Sequence, residues 1–318
     1  MSLFRVLVLL CLAFPAWAQE WPSKPVRFVV PFPPGGTVDP LARLMAVKLG
    51  ESLGGQFIVD NRPGAGGSIG TAQVAKAPPD GYTFVFVFDS HGVNQAIIKA
   101  LPYDTVRDFA PVMLVGTAPY AIATRADKPY KSFRDVVEAA KAKPDVVTIG
   151  SIGNGTLGHL TALLAQQVGG FKLSHVPFAG GGPMTQNMLG GHIDLGIGSA
   201  ALLTPHVRGG KMRALATTGE KRAATLPDVP TLAEQGIPGV VALAWWGIFA
   251  PAGTPAPILH KFWSGLKQAL EQPDVRKTLA EGVGMEIIAA SPEATQQFVL
   301  GEMQRWGKVV KEHGVKVD

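Results

Sequence analysis

The residues that could do chemistry in this chain are few and mostly uncharged. Two stretches, PFPPGGTVDP at 31–40 and SIGNGTLGH at 151–159, set glycines beside threonine, serine or asparagine where an apolar run gives way to a helical pattern. A helix that starts at such a turn leaves its first backbone N–H groups unpaired, and those groups with the positive end of the dipole can cradle an anion. In the first stretch Pro33 and Pro34 withhold their amides, while Gly35 and Gly36 let the backbone approach a ligand closely. The N–H groups of Gly35, Gly36 and Thr37 and the Thr37 hydroxyl would form the cradle. Asp39 is expected as N-cap, with Pro40 at the first helical position. A tight strand-to-helix turn with an ordinary cap reads the same residues equally well.

In the second stretch Gly153, Gly155 and Gly158 fit G-x-G-x-x-G, the dinucleotide fingerprint. A nicotinamide site also needs an acidic residue about 20 positions on. The segment there, VPFAGGG at 176–182, has none. What remains is a second set of free N–H groups, the hydroxyls of Ser151 and Thr156, and the Asn154 amide.

Other candidates have two readings each. His159 could donate to a bound carboxylate or steady its loop. Asp194, inside HIDLGIG, could hold a ligand ammonium or make a structural hydrogen bond; Trp245 and Trp246 could wall a cleft or pack in the core. His159, His175, His192 and His206 lack a metal-ligand spacing, and Ser151 has no evident base. No cofactor is expected.

The elements that would position these loops alternate. Strands are expected at 26–31, 57–60, 82–88, 112–117, 120–124, 146–150, 173–177, 193–198 and 212–217, with helices between them. Leu41, Leu44, Met45, Leu49 and Leu53 fall at helical spacing, and Ser132 with Asp135 opens a later helix through a capping box. This βαβ rhythm predicts parallel-rich sheets with helices on both faces. The tail differs: a long strand at 240–249, helices at 257–270 and 274–281, a short strand at 285–289 and an amphipathic helix at 292–312. If the extended segments near 115–124 and 240–249 are both crossovers, 19–120 with 245–318 form one lobe and 121–244 the other. A ligand cleft would lie between them, closed by a hinge.

With 318 residues, 47% hydrophobic, the chain can build a large core. A net charge of +5 with only 17% charged residues and no like-charge block gives no nucleic-acid footprint. Residues 1–18, MSLFRVLVLLCLAFPAWA, read as a secretory signal peptide cleaved after Ala18, because the apolar run is shorter than the roughly 20 residues of a bilayer span. Cys11, the one cysteine, lies in it, and loss of Arg5 takes the charge from +5 to 5 − 1 = +4. A cysteine-free exported protein suits the periplasm.

Taken together, WPSKPVRFVVPFPPGGTVDPLAR, VDNRPGAGGSIGTAQVAKAPPDGYTF, LPYDTVRDFAPV, GNGTLGHL, LPDVPTLAEQG and WWGIFAPAGTP resemble the Bug family, periplasmic solute receptors of tripartite tricarboxylate transporters. The resemblance covers essentially the whole mature chain. It implies a type II periplasmic-binding-protein fold of two α/β lobes joined by two hinge strands. It also implies a monomer that delivers a small carboxylate to the transporter's membrane subunits. As binding residues it implies Phe32, Pro34, Gly35, Gly36, Thr37 and Asp39 on the first loop, and Ser151, Gly153, Asn154, Gly155, Thr156 and His159 on the second. Ser90 and His91 stand where the family often has a small polar residue. Where many members read VPYKG, this chain has Val176-Pro177-Phe178-Ala179-Gly180, which makes the pocket less polar near Phe178 and disfavours citrate. The competing reading is an exported hydrolase of small carboxylates with His91 or His159 as base.

Overall fold

The computed structural model describes residues 21–282 and 284–312; the expected signal peptide, its cleavage site and Cys11 lie outside the described residues. The first strand, β1 (Val26–Val30), is apolar at four of five positions because both faces are covered. It pairs in parallel with β2 (Phe57–Asn61) on one side and β3 (Thr83–Phe88) on the other. Helix α1 (Val38–Leu53) lays Leu41, Ala42, Met45 and Leu49 on this sheet at three- and four-residue spacing. Phe28 meets Phe86 at 4.7 Å between ring centroids, and Phe84 meets Phe262 at 4.0 Å. Helix α2 (Ser68–Ala75) flanks the same sheet, and a single helical turn, α3 (Asn94–Ile97), follows β3.

The expected strands at 112–117 and 120–124 are one strand, β4 (Phe109–Arg125), of 17 residues. Its first part pairs antiparallel with β9 (Leu243–Pro251), from Phe109 opposite Pro251 to Pro119 opposite Leu243. From Tyr120 onward it pairs instead with β7 (Leu195–Ser199) and β8 (Met212–Thr217). Two register shifts against β9, between Pro111 and Met113 and between Leu114 and Gly116, mark irregularities along it.

The second half of the sheet adds β5 (Thr148–Ser151) parallel to β6 (Ser174–Pro177) and to β7. Helices α4 (Phe133–Ala142), α5 (Leu157–Gly169), α6 (Gly181–Leu189) and α7 (Ala200–Arg208) cover it. The capping box on α4 forms: Asp135 N–H donates to Ser132 Oγ, and Ser132 N–H donates to the Asp135 carboxylate at 3.0 Å. The sheet order is β2-β1-β3-β9-β4-β7-β5-β6; β2-β1-β3 and β7-β5-β6 are parallel runs, and they are joined by antiparallel pairings of β9 with β3 and of β4 with β9 and β7.

Where the chain passes between halves, the fully buried Thr218 ties the two crossing segments together. It donates to the Ala242 carbonyl at 2.7 Å, while its own hydroxyl oxygen accepts from Tyr120 N–H at 2.9 Å. Helices α8 (Ala256–Glu271) and α9 (Pro273–Arg276) follow, with one π-helical turn where a continuous helix was expected. After the two-residue β10 (Glu286–Ile287), α10 (Pro292–Glu312) returns to β4, where Thr295 Oγ1 accepts from Leu114 N–H at 2.7 Å.

Candidate functional site

The turn after β1 places its glycines against the other half of the molecule. Gly35 has φ +89°, which only glycine adopts without strain. Helix α1 begins at Val38, so Thr37, not Asp39, holds the cap position, and its side chain does not cap its own helix. The Thr37 hydroxyl oxygen instead accepts from Trp246 Nε1 on β9 at 3.0 Å, which leaves its proton free to donate elsewhere. Trp246 is buried and packs on Phe88 with centroids 5.3 Å apart.

Asp39 departs from its expected role. Its carboxylate accepts from Arg43 Nε at 3.0 Å and from Asn61 Nδ2 at 2.9 Å. Asn61 also donates to the Phe32 carbonyl at 3.0 Å. Charge-assisted bonds from a residue one turn on outcompete the cap. Asp39 therefore braces the turn from behind.

The surface facing this turn is the start of α6. A Cβ on Gly182 would lie 2.9 Å from the Pro34 carbonyl oxygen and 3.2 Å from Gly35, and one on Gly180 would lie 2.9 Å from Pro33. Glycine thus packs on glycine across the two halves. Sequence reasoning used VPFAGGG for the acid it lacks and for its departure from VPYKG but not for its glycines, although three glycines between a strand and a helix are the same signal as in the other two turns. Ser199, the N-cap of α7, accepts from Leu202 N–H at 3.3 Å and lies on the same wall.

Between these elements is a cavity of ≈ 20 Å³, lined by Gly36, Thr37 and Val38 from one half and by Ile152, Gly181 and Ser199 from the other. That is room for one or two water-sized atoms. Three helix starts, those of α1, α6 and α7, border it. Phe32 and Ile152 separate it from an outer cavity of ≈ 220 Å³, lined by the 64–67 turn, Gly153, Asn154, Pro177 and Phe178. Neither cavity is lined by a charged side chain.

The second expected cradle is largely turned inward. Gly155 N–H donates to His159 Nδ1 at 3.1 Å, so that amide is not available to a ligand. Thr156 Oγ1 donates to the Gly153 carbonyl at 2.8 Å. Ser151 is fully buried, with its hydroxyl 2.8 Å from His175 Nε2 and 3.0 Å from the Gly153 carbonyl. His175 stacks on His159 with centroids 3.7 Å apart and planes 6° from parallel. Burial, helped by the neighbouring His175, pushes His159 down to about 4, and burial also lowers His175, so both rings are neutral near pH 7. Ser151 therefore does have a histidine beside it, contrary to expectation. Among the described residues no carboxylate is hydrogen bonded to that histidine, and a sealed hydroxyl gives no access to a substrate. The G-x-S-x-G spacing, which the sequence reading gave as absent, does occur at Gly66-Gly67-Ser68-Ile69-Gly70, but Ser68 merely begins α2 and no histidine bonds to it among the described residues.

The remaining candidates sit apart from the two cavities. Ser90 donates to the Gly66 carbonyl at 2.7 Å and so supports the rim of the outer one. His91 is enclosed by Tyr103, Phe109 and Phe249, with no hydrogen-bond partner among the described residues, and burial lowers it to about 3. Asp194 accepts from Lys128 at 2.6 Å and from Thr148 N–H at 3.0 Å, so it holds the edge of β5 and lines neither cavity. Pro34 and Gly35 form the contact with Gly182 without lining either. A wider concavity, ≈ 930 Å³ between α4, α5 and Val309 of α10, shares no residue with the two cavities. Among the described residues no group of three or more His, Cys, Asp or Glu could hold a metal, and no helix is long and apolar enough to cross a membrane.

Comparison with known proteins agrees with this architecture. BugT of Bordetella pertussis is 35% identical over 308 residues, covering 96% of this chain and 94% of that protein. The structure of the periplasmic binding protein BugD is similar with a TM-score of 0.89 at 34% identity, over 93% of this chain and 99% of that one. R. palustris Rpa4515 with adipate gives the same TM-score, identity and coverage. The fold is thus the α/β periplasmic-binding-protein fold expected from the sequence. The family described as the tripartite tricarboxylate transporter family receptor matches residues 41–315, and the chain belongs to that family.

Proposed function

We propose that the chain is a periplasmic receptor that captures a small carboxylate-bearing solute between its two halves and delivers it to the membrane subunits of a tripartite transporter. The halves would be lobes of 19–120 with 245–318, and 121–244, hinged where β4 and the segment before β9 cross at Thr218. The observation that carries the reading is the ring of three helix starts around an inner cavity that no charged side chain lines. Such a site favours an anion through backbone amides alone.

The magnitudes suffice. A helix terminus contributes about 0.3 to 1 kcal/mol, up to about 2 when partly buried. A hydrogen bond to a charged acceptor adds about 1.5 to 3 kcal/mol. Three termini and three or four such bonds, less the ordering cost of closure, reach the roughly 8 kcal/mol of a micromolar complex. The amides of Gly36, Thr37 and Val38 and the Thr37 hydroxyl would grip from one side, and the first amides of α6 and α7 with Ser199 from the other. Phe32, Phe178, Gly153 and Asn154 would contact the rest of the solute. Family membership supports delivery to membrane subunits, and the likeness to BugD supports the periplasm. Rpa4515, solved with adipate, supports a carboxylate guest.

Calorimetry of the mature protein against a panel of small carboxylates tests the reading. Saturable binding without consumption of the ligand is expected. Turnover, or no binding by any acid, overturns it.

A further inference from the structure

Resting on the receptor reading, the geometry points to the chemical class of the solute: we infer a carboxylate with an apolar body and no ammonium group. The inner cavity, at ≈ 20 Å³, has the volume of the two carboxylate oxygens and little more. The carbon next to the carboxylate must then lie at the neck between the cavities, where Phe32 and Ile152 meet. Phe88 and Leu202 close the inner side of that neck, and Phe32 and Phe88 stand edge to face at 6.1 Å. A substituent on that carbon meets hydrocarbon.

An ammonium there would be desolvated among apolar side chains and aimed at the positive ends of helices, with no anion to compensate it. Acids on the elements around these turns are engaged elsewhere, and none lines either cavity. Asp39 is held by Arg43 and Asn61, Asp89 accepts from the Tyr120 hydroxyl at 2.5 Å, and Asp194 is held by Lys128. A hydroxyl at the same carbon is disfavoured more mildly, since no side chain at the neck can bond it. Beyond the neck the outer cavity opens to ≈ 220 Å³, walled by Phe178 and aliphatic or glycine backbone, with Asn154 as its one polar side chain. This space accepts a ring or a short chain. A second carboxylate would find only backbone amides and the Asn154 side chain there.

Two matched pairs test the inference by calorimetry: 3-phenylpropionate against phenylalanine, and glutarate against glutamate. The deaminated acid of each pair should bind at least 100-fold more tightly than its amino partner, and 3-phenylpropionate should exceed citrate by at least tenfold. Equal or tighter binding of the amino acids, or a preference for citrate, overturns the apolar-body assignment while leaving the receptor reading intact. Binding by no acid at all overturns both. Ala179→Lys, at an exposed position of the outer rim, places a cation beside the solute body. It should raise glutarate affinity at least fivefold relative to 3-phenylpropionate, with the gain lost in high salt. An unchanged ratio contradicts the placement of the body in the outer cavity.

Discussion

The turns at 31–40 and 151–159 look alike as sequence, yet the first lines the inner cavity with Gly36 and Thr37 while the second spends much of its polar capacity on itself. In the second, Gly155 N–H is taken by His159, and Ser151 and Thr156 are hydrogen bonded within the turn. The first turn is braced differently: Asn61, Asp39 and Trp246 hold it from behind through side chains and leave the backbone of Gly36 and Thr37 free. A glycine-rich helix start is therefore a binding element only where its neighbours satisfy the turn without consuming its donors. The second half meets the cleft instead with α6 and α7, whose starts were not singled out as cradles.

The contrast can be broken most severely at the glycine contact. Gly182→Ala puts a Cβ 2.9 Å from the Pro34 carbonyl, backbone against backbone, so closure is blocked. Carboxylate affinity should fall at least about 100-fold, roughly 2.7 kcal/mol, while the far-ultraviolet circular dichroism stays that of the native fold. Unchanged affinity would show that the two turns do not close on the solute.

Thr37→Val comes next. It removes a hydroxyl poised to donate and orphans the Trp246 N–H, and it should weaken binding by about 1.5 to 3 kcal/mol. Trp246→Phe keeps the ring but loses the bond that orients Thr37. A loss of about 0.5 to 1.5 kcal/mol in calorimetry is expected, with a thermal midpoint close to that of the unaltered protein.

The smallest effect on binding belongs to the second turn. His159→Phe should change affinity less than about threefold, because it acts on an amide the solute does not use; stability should drop by about 1 kcal/mol through the orphaned Gly155 N–H. Acid should separate the two turns as well. A histidine held at about 4 when folded and near 6.5 when unfolded binds more protons in the unfolded state, so its stabilising contribution is complete above pH 6.5 and declines as pH falls toward 4. His91, lowered to about 3, adds to the same trend. Thermal midpoints measured from pH 7.5 to 4.5 should fall with acid in the unaltered protein and fall less in His159→Phe. Calorimetric affinity should stay flat from pH 7.5 to 6.

Much of this was legible in the sequence, because local chemistry decided it. The capping box of Ser132 and Asp135, the buried ladder Leu41, Met45 and Leu49, and the glycines of the first turn all act within a few residues. What was hidden depends on partners distant in the chain. Thr37 finds Trp246 across 209 residues, Ser151 finds His175 across 24, and the length of β4 is set by which strands flank it. Asp39 was misassigned because a good cap residue at a helix start gives no hint that Arg43 and Asn61 compete for it. Gly182 was passed over because close approach between two glycine turns appears only when both halves are in place.

The central claim is that backbone donors from both halves hold one carboxylate at once. A crystal structure of the complex with the tightest-binding acid tests it most directly. The account predicts the carboxylate oxygens within hydrogen-bond distance of amides in the 36–38 turn and of the first amides of α6 or α7, with no side-chain cation touching them. A carboxylate paired to lysine or arginine, or held by one half alone, would contradict it.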